Sequence, residues 1–134
     1  MVNQSGLIYN GADLIGTPFE YGGRGPDTYD CWGLLMEMHR RNFGMEIPDY
    51  ASPTRTHEIA AAMSKDLALW RPIDPRPGAS ILMRIYGLGA HVGFQIDAYR
   101  FVHTWEKSAG VLIERLTVGD WERRIMGFYE YAGP

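Results

Sequence analysis

The sequence is poor in cysteine and contains no long apolar run. Its single cysteine cannot form a disulfide bond within the chain. No stretch approaches the roughly 18 consecutive apolar residues of a membrane-spanning helix, and internal repeats and low-complexity tracts are missing. We therefore expect neither a disulfide scaffold, nor a repeat protein, nor a protein inserted in a membrane.

An excess of positive charge is also missing. The chain carries 13 Lys and Arg against 16 Asp and Glu, a formal net charge of −3. Proteins that coat nucleic acid are normally basic, so we expect no nucleic-acid partner. The first five residues lack the basic and apolar segments of a secretion signal. We expect synthesis in a cytoplasm without a signal peptide.

The composition is that of an ordinary globular protein. Hydrophobic residues make up 46% and charged residues 22% of 134 residues, which argues against disorder. A chain of this length fits one domain. We predict a single domain over residues 1–134.

Apolar spacing predicts helices in the first half of the chain, at residues 5–15, 31–42 and 57–67. For the second of these, Asp30 is a suitable N-cap and Gly44 a suitable C-terminal stop. The second half favours strands, at residues 80–85, 91–96, 100–104, 111–116 and 126–131. Helices segregated from antiparallel strands indicate an α+β fold.

Cys31 is the first candidate for chemistry. It lies at the first turn of the second predicted helix, directly after a glycine-rich loop. The free N–H groups and the dipole at a helix start favour a negative group. We therefore expect a lowered thiol pKa and a nucleophilic thiolate near neutral pH.

His91 and His103 are the candidate partners of the thiol. They lie 12 residues apart on consecutive predicted strands. If the hairpin turns about its midpoint, Asp97, the two side chains are directly opposed on one face, with Cβ atoms about 5 Å apart. A turn centred between two residues would instead put them on opposite faces. We expect His39 and His57 to be surface residues.

Several motifs together resemble the NlpC/P60 family of peptidases. The segments that carry the resemblance are Gly16-Thr17-Pro18-Phe19-Glu20-Tyr21-Gly22-Gly23, Asp30-Cys31-Trp32-Gly33-Leu34-Leu35, Pro77-Gly78-Ala79-Ser80-Ile81-Leu82, His91-Val92-Gly93-Phe94-Gln95-Ile96 and Phe101-Val102-His103. Their order and spacing match the family pattern over about residues 6 to 131.

The resemblance implies a papain-like fold, with helices packed on an antiparallel sheet, and hydrolysis of amide bonds in peptidoglycan stem peptides. It makes Cys31 the nucleophile, His91 the general base and His103 the group that orients His91. The backbone N–H of Cys31 would be one oxyanion donor, and Asp30 matches the acid that holds the free amine of the substrate. No metal or other cofactor is implied.

Three positions depart from the family pattern. Phe19 replaces a tyrosine whose hydroxyl lies near the thiol, and Tyr21 is a candidate to replace it. Trp32 replaces the serine after the nucleophile, where it either alters the floor of the substrate site or packs into the fold. Ala79 replaces an acid that we interpret as structural. Asp30, Tyr21 and Trp32 are thus the predicted substrate-binding residues.

Within the family, the chain is most similar to phage-type cell-wall peptidases. The segments behind this interpretation are Trp70-Arg71-Pro72-Ile73, Trp121-Glu122-Arg123-Arg124-Ile125 and Gly127-Phe128-Tyr129. The similarity implies phage tail-tip proteins as partners. It also implies synthesis in the bacterial cytoplasm, incorporation into the virion tail, and action in the periplasm or cell wall.

Three alternatives stay open. The chain could be a non-catalytic docking component of a tail tip, or a secreted antibacterial peptidoglycan amidase. Cys31, His91 and His103 could also bind zinc, although a thiol at a helix start suits a nucleophile better.

Overall fold

The structure, a computed structural model, describes residues 2–3, 6–7, 9–50, 63, 66, 68–85 and 89–133. Within these ranges, no helix has the length and apolar character needed to cross a membrane.

The centre of the fold is a six-stranded antiparallel sheet in the order β3-β8-β4-β5-β6-β7. Its strands are β3 (Trp70–Pro72), β4 (Ser80–Ile85), β5 (Gly89–Gln95), β6 (Arg100–His103), β7 (Leu112–Arg115) and β8 (Ile125–Tyr131). Two short strands, β1 (Val2–Asn3) and β2 (Gly6–Leu7), pair with each other. The described residues also form the long helix α1 (Cys31–Phe43), the short helix α2 (Trp121–Arg124) and a 3-10 helix at Ala12–Leu14. The α+β prediction is confirmed.

α1 packs on one face of the sheet because its apolar residues recur at helical spacing. Leu34, Leu35 and Met38 are at most 2% exposed and share a core with Val92 and Phe94 of β5. The opposite face of the sheet carries a second core, formed by Ile81, Met83, Ile85, Phe101, Leu116 and Trp121. The centre of the sheet is thereby buried on both faces.

The predicted helix over residues 5–15 is wrong in the part that the structure describes. Gly6 and Leu7 are in β2, and only residues 12–14 form a 3-10 helix. Glycine disfavours helix, and Gly6 and Gly11 both fall in this segment. Asn42 of α1 also bonds the backbone N–H and C=O of Asn10.

The other predicted helices differ in outcome. The helix over residues 31–42 is confirmed, with Asp30 as N-cap and Gly44 as a left-handed C-cap at φ 65°. Apart from residues 63 and 66, the helix predicted over residues 57–67 lies outside the described residues, as does His57. β3 and α2 were not predicted.

The β5–β6 hairpin places both histidines on one face, but not directly opposite each other. The register pairs Phe94 with Val102 and Gln95 with Phe101, so the hairpin is centred on Ala98 rather than on Asp97. Asp97 instead caps the turn, its Oδ1 accepting from two backbone N–H groups. Because the centre moves by a whole residue, His91 and His103 still face the same side of the sheet. They are diagonal neighbours instead of a directly opposed pair.

His39 is a core residue, contrary to the predicted surface position. It is 2% exposed, and its Nδ1 lies 2.9 Å from the carbonyl oxygen of Leu35. Its ring packs near Trp70 and Phe94, with centroids 6.2 Å and 5.9 Å away. Burial lowers the pKa of His39 to about 4, because an imidazolium would lose its hydration there.

Stability is expected to fall as the pH drops from 6.5 towards 4, in part because of His39. The unfolded imidazole takes a proton near pH 6.5, whereas the folded one resists it until about pH 4. This difference contributes about 3 kcal/mol above pH 6.5 and is lost on acidification. Denaturant titrations between pH 4.5 and 7 measure the slope, which His39→Gln should reduce. Parallel curves for the two proteins would contradict this account.

Candidate active site

α1 begins at Cys31 because the preceding loop supplies a complete cap. The Asp30 carboxylate accepts from the N–H of Gly33 at 2.7 Å. The loop backbone contacts the helix at Gly33, because a Cβ there would lie only 2.1 Å from the carbonyl oxygen of Gly23. Glycine is therefore required at position 33, and the loop holds the thiol at the helix start.

The carboxylate of Asp30 is fully engaged within the chain. Besides the cap, it accepts from the N–H of Gly22 at 2.9 Å and from Arg24 Nη1 at 2.6 Å. Arg24 also forms an ion pair with Asp49 at 3.0 Å. Asp30 is 6% exposed. The structure thus shows Asp30 as a buried N-cap and ion-pair partner next to Cys31, and its role in holding a substrate amine stays a prediction.

Cys31 is buried, and its thiol pKa is raised rather than lowered. The residue is 4% exposed. Burial, and next the negative charge of Asp30, raise the thiol pKa to about 12. Hydrogen bonds from the backbone N–H groups of Val92 and Trp32 oppose this but do not offset it. The expected thiolate at neutral pH is therefore wrong for this structure, and the thiol keeps its proton.

The two histidines are joined to each other and to a carboxylate. His91 Nε2 lies 2.8 Å from His103 Nδ1, and His103 Nε2 lies 2.7 Å from Glu114 Oε2. His91 and His103 are 3% and 0% exposed. Trp121 also bonds the Glu114 carboxylate. The result is a buried hydrogen-bonded row that runs across β5, β6 and β7.

Both imidazoles are neutral at neutral pH. Burial is the main cause of the lowered pKa of each. For His91, repulsion from His103 when His103 is protonated and from the Arg124 guanidinium lowers the pKa further. The Glu114 carboxylate acts in the opposite direction on His103. Trp121 packs edge-on against His103 with ring centroids 4.7 Å apart. An imidazole of this row is therefore able to accept a proton at neutral pH.

The thiol and His91 line the same small pocket. Its other walls are Phe19, Tyr21, Ile85, Ala90, Trp105 and Glu106, and its volume is about 20 Å³. That is room for about one water molecule. In the described part of the chain, no hydrogen bond links the thiol to His91. Such contacts often tighten only when substrate binds.

Tyr21 and Trp32, the other predicted substrate-binding residues, lie in different environments. Tyr21 borders the pocket and donates from its hydroxyl to Glu106 Oε2 at 2.8 Å. Burial and Glu106 raise the pKa of Tyr21 to about 12. Trp32 is fully buried, and its indole N–H donates to the carbonyl oxygen of Pro48 at 2.8 Å. Of the two alternatives for Trp32, the structure shows packing into the fold.

Glu114 is the polar residue of this region that sequence reasoning missed. The register pairs Leu112 with His103 and Glu114 with Phe101, so the carboxylate lies on the histidine face. The period-two pattern of a strand contained this signal: Glu114 alternates in step with Leu112 and Leu116. An acid at such a position indicates a buried partner.

A larger cavity lies elsewhere and lacks comparable chemistry. Its volume is about 290 Å³, and its lining includes His39, Phe43, Arg76 and Glu130 but neither the thiol nor the histidine pair. Among the described residues, no three His, Cys, Asp or Glu side chains are grouped as metal ligands would be. The thiol pocket is therefore the better candidate active site.

The comparison with known protein families agrees with this arrangement. The model of the family described as NlpC/P60 matches residues 16–130. The chain belongs to the NlpC/P60 family. The match includes both the thiol and the histidine row of this NlpC/P60 domain.

Curated relatives cover most of this NlpC/P60 chain. Murein DD-endopeptidase MepS/Murein LD-carboxypeptidase of Escherichia coli K12 is 30% identical over 113 residues, which are 84% of this chain and 55% of that protein. The protein named "Probable peptidoglycan endopeptidase LytE" of Bacillus subtilis is 27% identical over 94% of this chain and 34% of its own length. The chain thus spans about half of the first relative and a third of the second.

Solved structures show the same fold. A protein of the NLP/P60 family from Staphylococcus aureus, described as similar to lipoprotein, superposes with a TM-score of 0.64 at 18% identity, over 91% of this chain and 39% of that one. The NlpC/p60 domain of the peptidoglycan hydrolase SagA gives a TM-score of 0.58 at 18% identity, over 87% and 88% of the two chains. These likenesses establish the NlpC/P60 fold.

Proposed function

We propose that the protein is a cysteine peptidase that hydrolyses amide bonds in peptidoglycan stem peptides, with residues 1–134 acting as one catalytic domain. One observation carries the proposal: Cys31 and His91 line one pocket, and His91 is hydrogen-bonded to His103. A thiol, a neutral base and a group that orients the base are what nucleophilic amide hydrolysis requires.

The chemistry begins from neutral partners. His91 takes the thiol proton as Sγ of Cys31 attacks the substrate carbonyl, which forms a tetrahedral intermediate. The imidazolium then returns the proton to the leaving amine, and a thioester remains on Cys31. Water, deprotonated by His91, hydrolyses the thioester and regenerates the thiol. His103 orients His91 through these steps.

The helix start supports the oxyanion. Cys31 is the first residue of α1, where helix N–H groups have no partner within the helix. Its backbone N–H supplies one donor to the tetrahedral intermediate. The hydroxyl of Tyr21 supplies a second donor only after it leaves Glu106. We propose that substrate separates Tyr21 from Glu106 and so opens the pocket.

The test is mass spectrometry of defined muropeptides incubated with the purified protein. We expect fragments whose masses identify a single cleaved stem-peptide bond, and none in a sample denatured beforehand. The masses distinguish a cut between D-glutamyl and diaminopimelate residues from one between L-alanine and D-glutamate. Intact muropeptides after prolonged incubation would contradict the proposal.

We also propose that this activity serves a phage tail that acts in the periplasm or cell wall. The support is the similarity of three sequence segments, 70–73, 121–125 and 127–129, to phage-type members of the family. Immunogold labelling of virions with an antibody to this chain tests the location. Labelled tail tips are expected, whereas an immunity gene beside the coding gene would instead favour a secreted antibacterial effector.

One observation favours a second candidate, a docking module without catalysis. The thiol is 4% exposed in a pocket of about 20 Å³. For a docking module, Cys31→Ala leaves tail assembly and infectivity unchanged. For the peptidase, the same change impairs entry while tails still assemble.

A further inference from the structure

The row of hydrogen bonds beyond the pocket has a defined direction. Its outer end is the carboxylate of Glu114, whose pKa is lowered chiefly by its bond to His103. A carboxylate only accepts hydrogen bonds. Nε2 of His103, 2.7 Å away, therefore carries the proton of that bond.

The remaining protons follow from this one. A neutral imidazole has one N–H, so Nδ1 of His103 is an acceptor. His91 Nε2, 2.8 Å from it, must then donate. This leaves Nδ1 of His91 as the unprotonated nitrogen. Nδ1 is the ring nitrogen nearer the backbone, and the next backbone N–H, that of Val92, bonds the sulfur of Cys31.

We propose that Glu114 is a positioning residue, which fixes the tautomers of both histidines and leaves Nδ1 of His91 free to take the thiol proton. The part that concerns the thiol rests on the proposed function. Glu114 touches neither the pocket nor the thiol and acts through His103. When His91 becomes an imidazolium, the same carboxylate stabilises the charge through the row.

The anchoring of Glu114 supports this role. Its side chain is 32% exposed, yet it bonds both His103 and Trp121. Trp121 packs against His103 and is 6% exposed. The carboxylate is thus held in one position instead of turning to solvent.

Other charged or titratable groups face the two imidazoles. Cys31 approaches from α1 and Arg124 from α2, where its guanidinium lies 5.2 Å from the centre of the Trp121 ring. Tyr21 and Glu106 line the pocket from the flanking loops. Unlike these four groups, Glu114 is bonded directly to an imidazole of the row.

The first test needs only the wild-type protein. Long-range ¹H–¹⁵N NMR spectra distinguish Nε2–H from Nδ1–H tautomers. We expect both His91 and His103 as Nε2–H tautomers at pH 7. A Nδ1–H tautomer at His103 would overturn the proposal, and this outcome is independent of any activity on peptidoglycan.

The second test compares Glu114→Gln with Glu130→Gln. Glu130 is a matched control because its side chain is 30% exposed, carries the same charge and forms ion pairs in the same sheet, away from the thiol. In Glu114→Gln we expect a lower pKa for His103 by NMR titration. We also expect kcat for muropeptide cleavage to fall about ten- to a hundredfold, with KM nearly unchanged.

Glu130→Gln should behave as wild type in both measurements. A lowered kcat in Glu114→Gln with unchanged histidine titration would reduce Glu114 to a structural role and overturn the proposal. If no variant or wild type cleaves muropeptides while the tautomers and the titration shift are as expected, the proposed function fails and the tautomer assignment stands.

Discussion

Cys31→Ala is expected to lower the rate of muropeptide cleavage by about 10⁴-fold or more, since removing the nucleophile of such a site removes nearly all of the chemical catalysis. The side chain is small and buried, so alanine keeps the core packed apart from one sulfur. Circular dichroism and thermal unfolding should show a folded protein. Cleavage by the alanine variant at a comparable rate would show that Cys31 is not the nucleophile.

A matched pair of histidine variants provides the control. His91 and His39 are both buried imidazoles, 3% and 2% exposed, but only His91 lines the thiol pocket. His91→Gln should abolish cleavage as Cys31→Ala does. His39→Gln should cleave at near the wild-type rate below its unfolding temperature. Equal losses in both would indicate damage to the fold rather than removal of the base.

Trp32→Ala is expected to lower the free energy of unfolding by about 3–5 kcal/mol, the usual cost of removing a buried tryptophan. The ring is fully buried and lies against Tyr50 and Trp70, with centroids 5.0 Å and 5.8 Å away. Because typical domains are stable by about 5–15 kcal/mol, this loss is a large share of the total stability, and the midpoint of unfolding should shift clearly. Denaturant titration measures the loss.

Two further variants are controls for this prediction. Trp32→Phe keeps most of the apolar area but loses the bond to Pro48, so it should lose less stability and retain activity when folded. Tyr99→Ala removes an aromatic ring that is 66% exposed and should change stability by less than about 1 kcal/mol. A stable Trp32→Ala protein with altered substrate preference would restore a role for Trp32 in binding.

Local signals predicted much of the fold. Asp30, the apolar spacing of α1 and Gly44 determine the limits of that helix within a residue, because capping and periodicity are local properties of the sequence. The strand pattern located β4 to β8 for the same reason. The backbone at Asn10 could not be predicted this way, since its N–H and C=O both bond the side chain of Asn42, 32 residues away.

The site was predicted less completely than the fold. The resemblance and the strand spacing brought His91 and His103 together, but the true register depended on a turn one residue beyond Asp97. The thiol pKa was predicted from the helix start alone. In the structure the thiol pKa is raised instead, first by burial, a tertiary feature, and then by the charge of Asp30. Trp32 was ambiguous because an aromatic side chain fits a core and a binding site equally well.

The hydrogen bond between Tyr21 and Glu106 also bears on how fast the Cys31 thiol is oxidised. Peroxide oxidises thiolates that it can reach, whereas burial keeps this thiol protonated, in a small pocket whose walls include the bonded Tyr21 and Glu106. Sulfenic acid and disulfide-linked dimers should therefore form slowly during storage without a reducing agent. Under the proposed function, the contact that delays an oxidant is also the one that a stem peptide must separate before it reaches Cys31.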